Sequence, residues 1–436
     1  MGLAALVILA MLLMPYLTGR VAESVTQQLT TQINQNNPEY GELSVLDYQR
    51  GFRSTQSRFS WKPSQLSKSP LKPEVVLKCD GSHGVFSYSY DCQFENAERY
   101  TDFVNQRLDG VDPLTIGGSV NLLGSIRHSF HLKAFELDSD GEAISVLPGF
   151  INVVSDKSLQ SFVIDGEFQG IEAEGSDGLL LLGPTTVSGE VHQNDLDLAI
   201  GEVTLAVQNI ALESESQGKV EINGLALHSQ ALENSESLNV SYRLAVKQFK
   251  QTGAMGDLNL ANLTMDFQMA GIDMLQMSSL NKKLDALNEQ PDSAQNASLL
   301  ALLPAFESML KPGLSLELQL SADHLASSVD ANLTMSLTNN LTLGDFLLFS
   351  VNPRNLFTKM NVKLTNKIPY SFVDENPNLQ GAMALSPWHV KSEDAYTTDF
   401  RIADGSIQLN ENELEINEFL AMLGIRISKR GWGRGL

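Results

Sequence analysis

Over residues 39–270, and again over 312–423, the apolar residues of this chain recur at every second position, and this alternation restricts the fold more than any other feature. Leu196, Leu198 and Ile200 alternate with polar residues; Val203, Leu205 and Val207 repeat the pattern, and Leu238, Val240, Tyr242, Leu244 and Val246 carry it furthest. Side chains at i and i+2 leave a strand on the same side, so the pattern predicts half-buried strands. The pairs Asp140-Gly141, Asp165-Gly166, Asp177-Gly178, Asn223-Gly224 and Asp404-Gly405 are suited to the positive φ of tight hairpin turns. No helix of crossover length separates the strands, so an antiparallel meander is expected and a parallel α/β sheet is excluded. Strands of about eight to ten residues would number roughly 20, and open sheets rarely pass ~10 strands without curling or splitting. The expected fold is therefore mainly β, an elongated layered antiparallel domain built as a sandwich or a curled groove. Only 7% of the residues are aromatic, so Leu, Val, Ile and Met must line its interior. Such a lining serves equally as a filled core or as a trough for acyl chains.

Two segments break the alternation. Met1–Gly19 has no ionisable side chain and is rich in aliphatic residues, among them Leu3, Leu6, Ile8, Leu9, Leu12 and Leu13. Nineteen residues at ~1.5 Å rise reach roughly 28 Å, close to the ~30 Å of bilayer hydrocarbon, which predicts a transmembrane anchor over 1–19 with Arg20 snorkelling to the headgroups. Leu17-Thr18-Gly19-Arg20-Val21-Ala22 lacks the small-residue pattern of a cleavage site, so the anchor is expected to be retained. No basic residue precedes it, and the positive-inside rule leaves its orientation open. Over 20–38, Val21, Ala22, Val25, Leu29 and Ile33 fall at helical spacing, predicting an amphipathic helix stopped by Asn36-Asn37-Pro38. Over 271–311, Met274, Met277, Leu280, Leu284 and Leu287, then Leu299, Leu302, Leu303, Phe306 and Leu310, predict a helical hairpin broken at Gln290-Pro291-Asp292-Ser293. The tail over 424–436 carries Arg426, Lys429, Arg430 and Arg434 without one acid.

The chemistry-bearing residues are sparse. With 52 acids against 30 bases the net charge is -22, which repels polyanions and argues against a nucleic-acid partner. Cys79 and Cys92 flank the turn cluster Asp80-Gly81-Ser82-His83-Gly84, one on each arm of a hairpin; they are a candidate disulfide, conditional on an oxidising compartment. Of seven histidines only His128 and His131 are close, at a spacing that puts them on opposite faces of a strand. No H-E-x-x-H, P-loop, G-x-G-x-x-G or G-x-S-x-G is present, so no catalytic residue, metal or cofactor is assigned. In Tyr48-Gln49-Arg50-Gly51-Phe52-Arg53-Ser54, the alternation places Leu46 and Tyr48 on one face, and Gly51 permits a bend or bulge. This stretch reads either as a hairpin corner or as a lip that meets a ligand or partner near the membrane.

The anchor ending in Thr18-Gly19-Arg20, the helix after it, and Tyr48-x-Arg50-Gly51-x-x-Ser54 resemble the YdgA-like family of Gram-negative bacteria, an inner-membrane-anchored group of unknown function. The likeness extends through the helical hairpin into Leu303-Pro304 and Met309-Leu310-Lys311. It closes on Asp404-Gly405-Ser406-Ile407-Gln408-Leu409-Asn410 with Leu414, Ile416, Phe419 and Met422. The chain departs from the family at His83-Gly84-Val85, where His-Gly-Pro is common, in lacking basic residues before the anchor, and in its tail. The resemblance implies a single-pass inner-membrane protein with its β-rich bulk in the periplasm, and it supplies no catalytic residues. The expected role is non-enzymatic, with the bilayer engaged through the N-terminal helix and a lipid-like or envelope-protein ligand held along an apolar β concavity. The alternative expectation is a scaffold or adaptor acting through protein contacts, including self-association.

Overall fold

Every pairing between described strands is antiparallel, as alternation punctuated by short turns requires. A computed structural model describes residues 2–36, 41–63, 75–95, 98–139, 142–176, 178–214, 216, 218–253, 257–288, 302–347, 349, 353–375, 379–381, 383 and 386–422. The chain divides into two compact units, Met1–Glu215 and Ser216–Leu436, a boundary that falls inside the first alternating region.

In the first unit, helix α1 (Gly2–Asn36) is followed by β1 (Gly41–Arg50), β2 (Ser54–Pro63), β3 (Val75–His83), β4 (Ser87–Phe94), the helix Glu98–Arg107, β5 (Leu114–Asn121) and β6 (Ile126–Leu132). β1 to β6 pair in chain order. From β6 onward the chain runs back and forth along longer paths, most of them split in two: β6 with Phe135–Ser139, Glu142–Val146 with Gly149–Ser155, Ser161–Phe168 with Ile171–Gly175, Gly178–Leu182 with Thr185–Gln193, and lastly the unbroken Ala199–Ser214. The splits at Pro148, Gly170 and Pro184 lie side by side. Leu147 N–H donates to Gly170 O and Gln169 N–H to Pro148 O; Gly183 N–H donates to Asn209 O and Gln208 N–H to Pro184 O. Two successive residues in each path thus address the same neighbour, where a regular ladder would alternate. The in-and-out alternation restarts there, so residues three apart, such as Phe168 and Ile171 or Val207 and Ile210, remain on one face.

In the second unit Gly218–Asn234, Ser237–Thr252, Leu258–Asp273, Ser315–His324, Ser327–Leu337, Met360–Pro369, Ala395–Ala403, Ser406–Leu409 and Asn412–Leu414 pair in chain order. Helix Met274–Asn288 and a second helical run over 302–309 occupy the expected hairpin, joined by a hydrogen bond from the Ser308 hydroxyl to Gln276 Oε1 of 2.6 Å. The break between them, and the basic tail over 424–436, lie outside the described residues.

Several expectations are corrected. Strands reach 16 and 17 residues in Ala199–Ser214 and Gly218–Asn234, well beyond eight to ten, and the second of these runs straight through an expected turn dipeptide. Asp165-Gly166 is mid-strand, where a Cβ on Gly166 would meet Phe150 O at 2.9 Å. Asn223-Gly224 also lies within its strand, with Gly224 at φ +64 taking up a local irregularity of the ladder. Asp404-Gly405 does turn a hairpin, with φ of 52 and 77. Asp140, Gly141 and Asp177 lie outside the described residues. The anchor and the amphipathic helix are one continuous helix with Pro15 inside it. Pro15 forfeits one backbone bond, and the Thr18 hydroxyl donates to the Pro15 carbonyl at 3.0 Å. Among the described residues no helix is long and apolar enough to cross a membrane; the side chains of residues 2–12, including Leu3, Leu6, Ile8, Leu9 and Leu12, lie outside that description, and Leu13 is exposed.

Each unit has a core beside one stretch of its sheet. In the first, Ala22 and Val25 of α1 pack with Tyr88, Val120 and Ile126. In the second, Phe357, Phe400, Ile402, Ile407, Leu409, Phe419 and Leu420 close together, with the helix Ile416–Met422 contributing Phe419 and Leu420.

Candidate functional site

Cross-strand partners lie on the same face, so the register sorts every strand residue to one side or the other. In the second unit one row runs Tyr242, Phe267, Leu318, Leu333, Leu364, Phe400, Leu409, crossing seven strands with an apolar residue at each step. The neighbouring rows are Leu227, Leu244, Met265, Leu320, Ala331 and Val240, Met269, Leu316, Met335, Val362, Ile402. The rows on the opposite side are polar: Arg243, Asp266, Gln319, Asn332, Thr365, Asp399 is one of them. The first unit repeats the arrangement, with Phe130, Ile151, Gly166, Val187, Leu205 on one side and Ser129, Asn152, Asp165, Ser188, Thr204 on the other.

At one end of each apolar face the rows are buried, under α1 in the first unit and in the aromatic core near Phe419 in the second. Away from those ends they are open: Tyr242 is 52% exposed, Leu227 42%, Met265 38% and Leu320 37%, and Ile151 of the first unit is 45%. Exposed singly such residues are ordinary, but aligned over consecutive strands they form the kind of continuous patch that marks an interaction surface. From Leu227 to Ala331 the second face crosses four strand spacings, about 19 Å at ~4.8 Å each, longer than the ~15 Å acyl depth of one bilayer leaflet.

The motif residues of the first unit assemble elsewhere, where α1 meets β1 to β3. Arg50 lies 3.4 Å from Glu23 and 4.9 Å above the Tyr16 ring, which Arg20 also faces at 5.5 Å. His83 is buried, its Nε2 at 2.6 Å from the Thr55 hydroxyl and its Nδ1 at 3.2 Å from the Phe52 carbonyl. A neutral ring satisfies both contacts if Nδ1–H donates to Phe52 and Nε2 accepts from Thr55. Gly19 rests on this imidazole so closely that a Cβ would lie 2.4 Å from its Cε1, and the Thr18 hydroxyl is shared with the Gly84 carbonyl at 3.0 Å. Burial pushes the Tyr48 phenol above its ordinary value, with the Thr55 contact opposing it. Leu46 and Tyr48 do not behave as one face: the register slips between Val45 and Asp47, leaving Leu46 exposed and Tyr48 half-buried. Gly51 has no left-handed φ; its N–H donates to Ser54 O at 2.8 Å across the exposed turn. The stretch is a hairpin corner that clamps α1.

The downstream motif residues are brought together as packing rather than as a binding site. Ile407, Leu409 and Phe419 are core residues, Gly405 abuts Thr358, and Asn410 at φ +57 accepts from Asp399 N–H at 2.9 Å while donating to Trp388 O at 3.3 Å. Cys79 and Cys92 face each other across β3 and β4 and are joined by a disulfide. His128 and His131 point to opposite sides of β6; burial lowers the pKa of His128, whose Nδ1 meets the Tyr90 hydroxyl. His324 is buried between Asn259 O at 3.1 Å and Glu375 Oε2 at 3.0 Å. Among the described residues no group of three or more His, Cys, Asp or Glu is placed to hold a metal. The rows themselves were visible in the sequence as alternation; what it did not reveal was which residues share a row.

A family model described as a bacterial protein of unknown function (DUF945) matches residues 1–417. No curated protein and no solved structure matches.

Proposed function

The chain belongs to this DUF945 family of bacterial proteins of unknown function, and from that premise we propose that it is a YdgA-like inner-membrane-anchored protein of the periplasm, without chemistry of its own, that holds a lipid-like ligand by its acyl chain. The observation that carries this reading is the open stretch of apolar rows from Leu227 to Ala331, backed by a polar reverse face. An acyl chain laid across those strands replaces water on both surfaces, at about 0.8 kcal/mol per buried methylene. The uncharged run before Arg20 supports anchoring, and the Cys79–Cys92 disulfide supports an oxidising compartment.

The test is photo-crosslinking in cells. A benzophenone side chain at Tyr242 on the apolar face and another at Ser241 on the polar face are irradiated, and the purified chain is analysed by mass spectrometry. The reading expects an acyl-lipid adduct at 242 and none at 241. Adducts to protein alone at 242, or to lipid equally at both positions, would replace it with the scaffold or self-association reading.

A further inference from the structure

We propose that the tips of the β1–β2, β3–β4 and β5–β6 hairpins, with Leu13, Tyr16 and Leu17 of α1, form a surface seated in the headgroup and upper acyl region of a bilayer. This rests on the membrane-anchored reading above and goes beyond it, because it gives the β unit its own lipid contact. Each tip presents a large apolar side chain to solvent: Phe52 is 50% exposed, Phe86 67% and Leu123 92%. None of the three is among the buried core residues.

Hydrogen bonds place these tips at one end of the sheet. His83 N–H donates to Arg53 O at 2.8 Å, tying the second tip to the first, and Leu122 N–H donates to Phe86 O at 3.0 Å, tying the third to the second. The same end meets α1 through the Thr18 hydroxyl and Gly84 O. Within the five residues before Thr18 on that helix, Leu13, Tyr16 and Leu17 are exposed, and the sequence before them is uncharged and aliphatic. Arg20 and Arg53 are exposed at the same level, with Arg20 over the Tyr16 ring. Apolar tips, an aromatic ring and guanidinium groups at one level are the composition that suits a membrane–water interface. The spacing of the apolar groups selects the occupant. They stand on three separate turns, and a protein partner would need a shape matched to all three, whereas a fluid lipid surface closes around each tip independently.

The experiment uses the full chain in vesicles of phosphatidylethanolamine and phosphatidylglycerol whose acyl chains are brominated near the headgroup. Phe52→Trp, Phe86→Trp, Leu123→Trp and Leu13→Trp are made singly, each replacing an exposed side chain, and the emission added over the parent protein is compared in brominated and plain vesicles. Loss of most of the added emission at all four positions is the expected result. Quenching at Leu13→Trp with none at the three tips would overturn the inference and leave the anchor standing. Absence of quenching at Leu13→Trp would remove the anchor reading and this inference together.

Discussion

Gly19→Ala sets two effects of known size against each other. In a helix interior alanine is favoured over glycine by roughly 0.5–1 kcal/mol, so on propensity alone the change stabilises. The new methyl, however, would lie 2.4 Å from Cε1 and 2.6 Å from Nδ1 of His83, a buried ring held by Thr55 and Phe52. Overpacking of that kind costs about 1–3 kcal/mol, and displacing the ring loses a hydrogen bond worth roughly 0.5–1.5 kcal/mol. The balance is a loss of about 1–3 kcal/mol confined to the contact between α1 and the first hairpins. Hydrogen-exchange mass spectrometry of peptides covering 75–94 reads it directly, as exchange roughly 5–150-fold faster than in the parent. In His83→Ala the obstruction is gone, so the two changes should couple by about 0.5–3 kcal/mol in a double-mutant cycle. Unchanged or slower exchange in Gly19→Ala, or simple additivity in the double variant, would refute the argument that this glycine is required by close approach.

Three further outcomes are expected. Cys92→Ser should lose about 3 kcal/mol, since the cross-link spans a sequence separation of 13, and its Tm should become indifferent to dithiothreitol; a reductant effect persisting in the variant would contradict this. Phe419→Ala removes a ring packed against Phe400, Trp388 and Phe357 at centroid distances of 5.2, 6.0 and 5.8 Å, and should cost about 3–5 kcal/mol by urea denaturation followed through tryptophan emission; a loss below about 1 kcal/mol would show that helix Ile416–Met422 is not holding this core. Burial raises the pKa of Asp345, but hydrogen bonds from Lys359 and Thr342 outweigh it and hold the carboxyl below its ordinary value. Its contribution is therefore complete above the unfolded pKa near ~4 and is lost as pH falls through the lower folded value. The Tm of the parent should drop more steeply than that of Asp345→Asn on acidification below about pH 4, and parallel curves would reject the assignment.

The strand-forming regions and their antiparallel pairing were legible because period-two alternation is a direct image of a sheet with unlike faces. Strand length was not, since Asn223-Gly224 has the chemistry of a turn yet sits within a 17-residue strand, and Asp165-Gly166 likewise sits within a ladder, where close approach also calls for glycine. The continuity of α1 through Pro15 was hidden for a related reason, because the helix there is held partly by a tertiary contact, the Thr18 hydroxyl reaching Gly84 O as well as the local Pro15 carbonyl. For the candidate sites, hydropathy distinguished the apolar face, but the register that aligns Leu227, Leu244, Met265 and Leu320 into one row lies beside shifts at Leu238/Val240 and Ala261/Thr264 that alternation does not announce. The motif around Arg50 was visible as residues, and its partners Glu23 and Tyr16 were not, since they lie on another element more than 25 positions earlier.

Pairing in chain order has a consequence for how such a protein changes size. Excising two successive strands, such as Ser315–His324 and Ser327–Leu337, leaves every remaining strand running in its original direction with its greasy side unchanged, whereas excising one would reverse all that follow. The platform can therefore grow or shrink by whole hairpins, in steps of about 10 Å, without rebuilding either end. Its reach is a countable quantity, set by the number of hairpins in the sheet.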